Sequence, residues 1–234
     1  MKKIVGYFHV CQLGEWVKSF DLIFDCLRKS GLYETTNEIR LGVVCPDKKI
    51  IQDYRLEYGK VKICVVDIPQ QYERPTLLHM SQMSEEEDET LYWYVHTKGI
   101  RHFGLPQEDN VIDWIKLMLY WNVERWEDAV RSLDKYETYG CNWNCGPTGC
   151  HYSGNFWWAK SEHVRKLPKS IPENYNGPED WVTIKKEKAY CPFSSGLQGF
   201  GHYYNRYPES NYRLISTKDD QESILQHSPN QNEN

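Results

Sequence analysis

Leu91-Tyr92-Trp93-Tyr94-Val95 is an unbroken run of aromatic, aliphatic and β-branched side chains. Such a run fits a strand buried on both faces, as in the middle of a parallel sheet. It breaks abruptly into His96-Thr97-Lys98-Gly99. A buried strand ending this way delivers an imidazole, a hydroxyl and an ammonium to one edge of the sheet. Open α/β sheets bind their ligands at the carboxyl ends of the strands. The rest of the chain reads as support for that edge.

Residues 3–10 read as a first strand, and residues 39–45 and 60–68 as two more, stopped by Pro46 and Pro69. Trp16, Phe20, Ile23, Phe24 and Leu27 recur at spacings of three and four, which predicts an amphipathic helix over 15–30 with Gly31 as its C-cap. A short helix is expected over 75–83, an acidic loop over 84–89 and the fourth strand over 91–97. The apolar stripe from Val111 to Leu133 predicts one long helix over 110–134. Strands are expected over 136–143 and 152–159, a short helix over 161–167, a loop over 168–178 and a helix over 179–188. Strands alternating with helices imply right-handed βαβ units, hence an α/β fold with a mixed, mainly parallel sheet flanked by helices. One domain is expected over 1–216, followed by a polar tail over 217–234.

The net charge of −5 argues against general nucleic-acid binding, which needs a basic footprint. No apolar run is long enough to span a membrane. The start, Met1-Lys2-Lys3, is charged like that of a signal peptide, but the apolar part behind it is too short and no cleavage site follows. The expectation is a cytoplasmic protein whose eight cysteines are mostly free thiols. The nine Trp and seventeen Tyr are expected mainly in the core, the remainder near a site.

Four clusters carry chemistry. Lys98 could neutralise a phosphate and Gly99 lets backbone approach a ligand, or the stretch is a capped strand with a surface lysine. In Tyr152-Ser153-Gly154-Asn155-Phe156-Trp157-Trp158, the Gly-Asn pair could set an amide against a sugar hydroxyl, or turn the chain into an aromatic core strand. Gly177-Pro178-Glu179-Asp180-Trp181 sets two carboxylates at a helix start, where they cap the helix or bind substrate beside an aromatic platform. Cys141, Cys145, Cys150 and His151 could hold zinc, although their spacing departs from the paired C-x2-C pattern; thiols or one local disulfide are the alternative. No Gly-x-Gly-x-x-Gly, P-loop or Gly-x-Ser-x-Gly pattern is present.

Leu-Tyr-x-Tyr-Val-His-Thr-Lys-Gly, then a Trp-rich helix, then His-Tyr-Ser-Gly-Asn-Phe-Trp-Trp-Ala and Pro-Glu-Asp-Trp together resemble the His-Thr-Lys-Gly group of glycosyltransferases. That group occurs in large DNA viruses of algae and amoebae and in bacterial polysaccharide loci. Ser30-Gly31-Leu32-Tyr33 and Glu73-Arg74-Pro75-Thr76-Leu77 are similar to it as well, so the resemblance covers about residues 3 to 185. It implies a GT-A type nucleotide-sugar transferase, with a UDP-sugar the favoured donor and a glycan the acceptor. By that resemblance Tyr7, Phe8, His9, His96, Thr97, Lys98, Gly154, Asn155 and His202 hold the donor. Trp157 and Trp181 meet the acceptor, and Asp180 with Glu179 and Lys98 is catalytic, Asp180 as the base. The fold also implies Mn²⁺ or Mg²⁺ on an Asp-x-Asp motif, but His96-Thr97-Lys98 stands in that place, so Lys98 with His96 or His202 would meet the diphosphate charge without a metal or would assist a weakly held one. The missing Asp-x-Asp motivates the second reading, a non-catalytic carbohydrate- or nucleotide-binding module on a degenerate transferase fold.

Overall fold

The computed structural model describes residues 2–146, 149–185, 188–197 and 200–213. The expected tail over 217–234 lies outside them.

Strand β1 (Lys3–Cys11) is buried from Ile4 to Val10, and helix α1 (Trp16–Lys29) lays its predicted stripe on it. Phe20 stacks on Phe8 at 4.8 Å and on Phe24 at 5.4 Å. A short α2 (Leu32–Thr35) leads into β2 (Glu38–Val44), and β3 (Val61–Asp67) follows. Helix α3 (Arg74–Met83) precedes β4 (Thr90–His96), which is buried throughout its length. Apart from α2, which was not expected, these elements fall where the sequence placed them.

The expected 110–134 helix is broken. It runs as α4 (Glu108–Leu119), a π-helical turn (Tyr120–Glu124) and α5 (Trp126–Ser132). The widened turn offers its carbonyls sideways: Trp158 Nε1 donates to Asn122 O (2.8 Å) and the Tyr139 hydroxyl to Trp121 O (3.0 Å). The expected 136–143 strand divides at Asn142 (φ 55°) into β5 (Thr138–Gly140) and β6 (Trp143–Gly146). The expected 152–159 strand divides too, into β7 (Gly149–Tyr152) and β8 (Trp157–Lys160). Gly154 (φ 95°) and Asn155 (φ 59°) turn the chain between them. A Cβ at Gly154 would lie 2.2 Å from the Met118 sulfur, so α4 packs directly on that turn. Helix α6 (Ser161–Arg165) is as expected. The expected 179–188 helix is only α7 (Gly177–Trp181), residues 186 and 187 lying outside the described ones. A short β9 (Ala189–Tyr190) and α8 (Gly201–Tyr204) complete the described chain.

Among the described residues the main sheet has seven strands in the order β3-β2-β1-β4-β8-β5-β9, with β6 and β7 forming a separate hairpin. The first four are mutually parallel, and β8 runs antiparallel to both its neighbours. The fold is thus α/β with a mixed, mainly parallel sheet. Side chains from α1, α4 and α5 fill one face, against Phe8, Trp93 and Val95. On the other face α3, α6 and α7 pack on Tyr7, Tyr92, Tyr94 and Trp157. The chain winds outward from β1 to β3 and then crosses back to place β4 on the other side of β1. That reversal opens a crevice at the carboxyl ends of β1 and β4. Among the described residues no helix is long and apolar enough to cross a membrane.

Candidate functional site

The crevice holds a cavity of about 210 Å³. His9 and Cys11 of β1 and His96 to Gly99 after β4 form its floor. Tyr72 and Glu73 before α3, then Arg101, Tyr175 and Tyr203, form its walls. Leu13, Val44 and Pro69 give it an apolar corner at the ends of β2 and β3.

The end of β4 is held rigidly. Thr97 N–H donates to His9 O (2.9 Å), and Cys11 N–H donates to Thr97 Oγ1 (2.9 Å). Ser19 of α1 pins the Lys98 backbone, its hydroxyl accepting from Lys98 N–H and donating to Lys98 O, each at 2.9 Å. Thr97 therefore locks the edge. The Lys98 side chain is 7% exposed, and its ammonium lies 4.0 Å from the Trp114 ring centre. Among the described residues no carboxylate pairs with it. A buried cation with only an aromatic face beside it is under-compensated, and an anion entering the cavity would complete it. Arg101, exposed at the same wall, adds a second cation.

A carboxylate faces these cations across the cavity. Glu73 Oε2 accepts from the Tyr94 hydroxyl (3.1 Å) and from Asn155 Nδ2. Asn155 is oriented in turn by Trp157, whose indole N–H donates to its Oδ1 at 2.8 Å. His96 Nε2 lies 3.0 Å from Gly154 O, so that nitrogen must carry a proton and donate it. Its other nitrogen, Nδ1, lies 3.5 Å from Glu73 Oε1. Burial, reinforced by the Lys98 charge, lowers the His96 pKa to about 4, so the ring is neutral at pH 7. Burial lowers His9 likewise to about 4, and its Nδ1 lies 2.8 Å from the Thr76 hydroxyl.

The expected site residues divide. His9, His96, Thr97 and Lys98 line the cavity together, while Gly154 and Asn155 stand just behind it as supports. Tyr7 and Phe8 do not reach it, being fully buried in the two packed layers. His202 is also fully buried, stacked on Trp114 at 5.1 Å with its Nε2 2.9 Å from Ser195 Oγ, so it backs the indole beneath Lys98. Trp157 and Trp181 offer no face to an acceptor; they are 0% and 1% exposed, with their N–H groups given to Asn155 and to Pro168 O.

Helix α7 presents its two carboxylates to His151: Asp180 Oδ1 lies 3.1 Å from Nδ1, and Glu179 Oε2 3.6 Å from Nε2. Asp180 lines a different and larger cleft, about 890 Å³, between α7, the 168–174 loop and the β6–β7 hairpin. Glu179 does not line that cleft, and its charge also acts on Tyr94, His96 and Tyr175. Size favours the larger cleft, but the converging charged groups favour the smaller cavity.

The four zinc candidates do not converge, for Cys145 and Cys150 form a disulfide across the hairpin and Cys141 is buried beside Asn122. Among the described residues no three His, Cys, Asp or Glu side chains are grouped to hold a metal ion. In the place of Asp-x-Asp, Thr97 Oγ1 is taken by the Cys11 N–H and Lys98 offers an ammonium, so neither side chain is a metal ligand.

Sequence reasoning passed over Glu73, Tyr72, Arg101 and Tyr175. Arg101 stands two residues after Gly99, and Glu73 opens the 73–77 segment that carried part of the resemblance, so a signal existed for both.

No family model matches the chain, and no curated protein matches it. Among solved structures it is similar to the crystal structure of 4-diphosphocytidyl-2C-methyl-D-erythritol synthase from Anaerococcus prevotii DSM 20548. The two share 11% sequence identity with a TM-score of 0.46, over 96% of this chain and 95% of that one.

Proposed function

We propose that the chain is a GT-A type glycosyltransferase, moving a sugar from a nucleotide-diphosphate donor to a hydroxyl of a glycan acceptor. The observation that carries this reading is the buried, unpaired ammonium of Lys98 at the carboxyl end of β4, in one cavity with a carboxylate. The donor diphosphate supplies the anion that Lys98 lacks, with Arg101 as its second partner. The apolar corner at Leu13, Val44 and Pro69 seats the base, and the sugar lies toward Glu73 and His96.

Glycosyl transfer passes through an oxocarbenium-like state while negative charge grows on the departing phosphate. A fixed cation in a largely dehydrated site is worth more there than in water, and it needs no reorganisation as the charge develops. Neutral His96 and His9 keep the floor from competing with Lys98 for the phosphate.

The test is a thermal-shift panel of UDP-, dTDP-, GDP- and CMP-sugars. At a hundredfold the dissociation constant, the matching donor adds about 2.7 kcal/mol, or roughly 5–10 °C. Lys98→Ala should weaken that donor by about 1.5–3 kcal/mol, roughly 10–150-fold. No shift with any donor overturns the reading, and a shift without release of nucleoside diphosphate moves it to the binding module.

A further inference from the structure

We propose that Glu73, with His96 beside it, takes the proton of the acceptor hydroxyl, and that Tyr72 and Tyr175 seat the acceptor sugar ring against it. The inference rests on the transferase reading and deepens it by moving the proton acceptor from α7 to the turn before α3.

The geometry around Glu73 is that of a proton trap. Its Oε2 is already occupied by Tyr94 and Asn155, which fix the plane of the carboxylate. Its Oε1 points at His96 Nδ1 across 3.5 Å. The Gly154 carbonyl takes the one proton of neutral His96 on the far side of the ring. With Nε2 the donor to Gly154 O, His96 Nδ1 is an acceptor, and it lies on the same side as the acceptor oxygen Glu73 Oε1. Both residues line the cavity, so a hydroxyl entering there finds two acceptors converging on one proton.

The wall beside this pair is aromatic. Tyr72 and Tyr175 meet edge to face at 5.7 Å and are 42% and 67% exposed. Tyr72 holds a left-handed backbone (φ 51°) directly before Glu73, a conformation that costs free energy in a residue with a side chain. Exposed tyrosine faces beside a hydrogen-bonding carboxylate match a pyranose, which has an apolar face and a rim of hydroxyls.

In the reaction, the acceptor oxygen bonds to the anomeric carbon as the bond from that carbon to the diphosphate oxygen breaks. The electron pair leaves with the diphosphate. The hydroxyl proton passes to Glu73 Oε1, where His96 Nδ1 shares it. Attack opposite the leaving group inverts the configuration at the anomeric carbon.

The charged and titratable groups facing this pair are His9 from β1, Tyr94 within β4, Lys98 beyond it, Tyr175 at the wall and Glu179 from α7. Glu179→Gln is therefore the companion variant to Glu73→Gln.

The experiment takes the donor found in the panel and measures nucleoside diphosphate release with water, p-nitrophenyl glycosides or azide as nucleophile. Glu73→Gln should keep the donor thermal shift and lower release to water and glycosides by about 10²–10⁴-fold. Azide, which has no proton to lose, should restore release. Glu179→Gln should lower release far less than Glu73→Gln does. Tyr175→Ala should raise the glycoside KM with little change in kcat. NMR of the wild-type product should show inversion. Undiminished release by Glu73→Gln, loss of its donor shift, or a retained configuration overturns the inference and leaves the transferase reading standing. A wild type that binds donor but releases nothing removes both.

Discussion

Two polar clusters are buried at opposite ends of β1 and β4, and they are satisfied in opposite ways. At the amino end Arg40 and Glu87, 6% and 8% exposed, form a bidentate pair at 2.9 and 2.7 Å. Arg40 also donates to the Tyr7 hydroxyl (2.8 Å), and Glu87 accepts from Lys3 and Tyr92 at 2.7 Å each. Each buried charge there meets its opposite. At the carboxyl end the Lys98 ammonium lies over an indole, and His96 Nδ1 lies 3.5 Å from a carboxylate oxygen. Similar side chains at the two ends of one sheet thus make a closed network that holds the fold and a more open one at the cavity. Burial alone does not separate the two; unmet valence does.

The sharpest way to break this comparison is Arg40→Ala. It strands Glu87 without its main partner, and removing one member of a buried pair costs about 3–5 kcal/mol. A chain this long should then melt roughly 6–20 °C lower by circular dichroism. An unchanged melt would dissolve the distinction.

Acid separates the two ends next. The Arg40 guanidinium and its companions outweigh burial and hold Glu87 near a pKa of about 2, against 4.5 for the free group. Its contribution, roughly 3 kcal/mol, is complete above pH 4.5 and is lost as the pH falls through about 2. The histidines of the site end act earlier. His9, His96 and His202 sit near 4 against an unfolded 6.5, so the unfolded chain takes up protons first and stability declines from pH 6.5 downward. Urea midpoints across pH 3–8 should show that early decline, and His96→Asn should reduce it. Midpoints flat from pH 8 to 5 would contradict it.

The smallest effect sharpens the contrast. Lys98→Ala, although it removes a buried charge, should leave the melt of the ligand-free protein within about 1 kcal/mol of wild type or raise it, because no partner is orphaned. A loss as large as that of Arg40→Ala would place Lys98 in the closed class.

Much of the frame was legible because burial leaves a periodic trace: the α1 stripe and the all-apolar β4 run lie where their spacing put them. The break at His96 also marks one side of the cavity. What escaped the sequence depends on partners far along the chain. Glu73 is held at the cavity by Asn155, 82 residues away. The 153–156 segment was expected at the start of a strand because its aromatic flanks are strand-like, although Gly154-Asn155 carried a turn signal. The 110–134 helix looked continuous because its apolar stripe survives the π turn that Trp158 and Tyr139 draw open.

Arg74 ties the aromatic wall to the site. Its guanidinium donates to Pro172 O (3.0 and 2.6 Å) and to Asn174 O (2.6 Å), just before Tyr175. These are backbone atoms, common to any sequence of that loop. The anchor therefore reads the loop's path and ignores its side chains. Residue 175 can be exchanged without loosening the hold beside Glu73, so under the proposed reading the aromatic wall can drift across descendants of this chain while Glu73 and Lys98 stay in place.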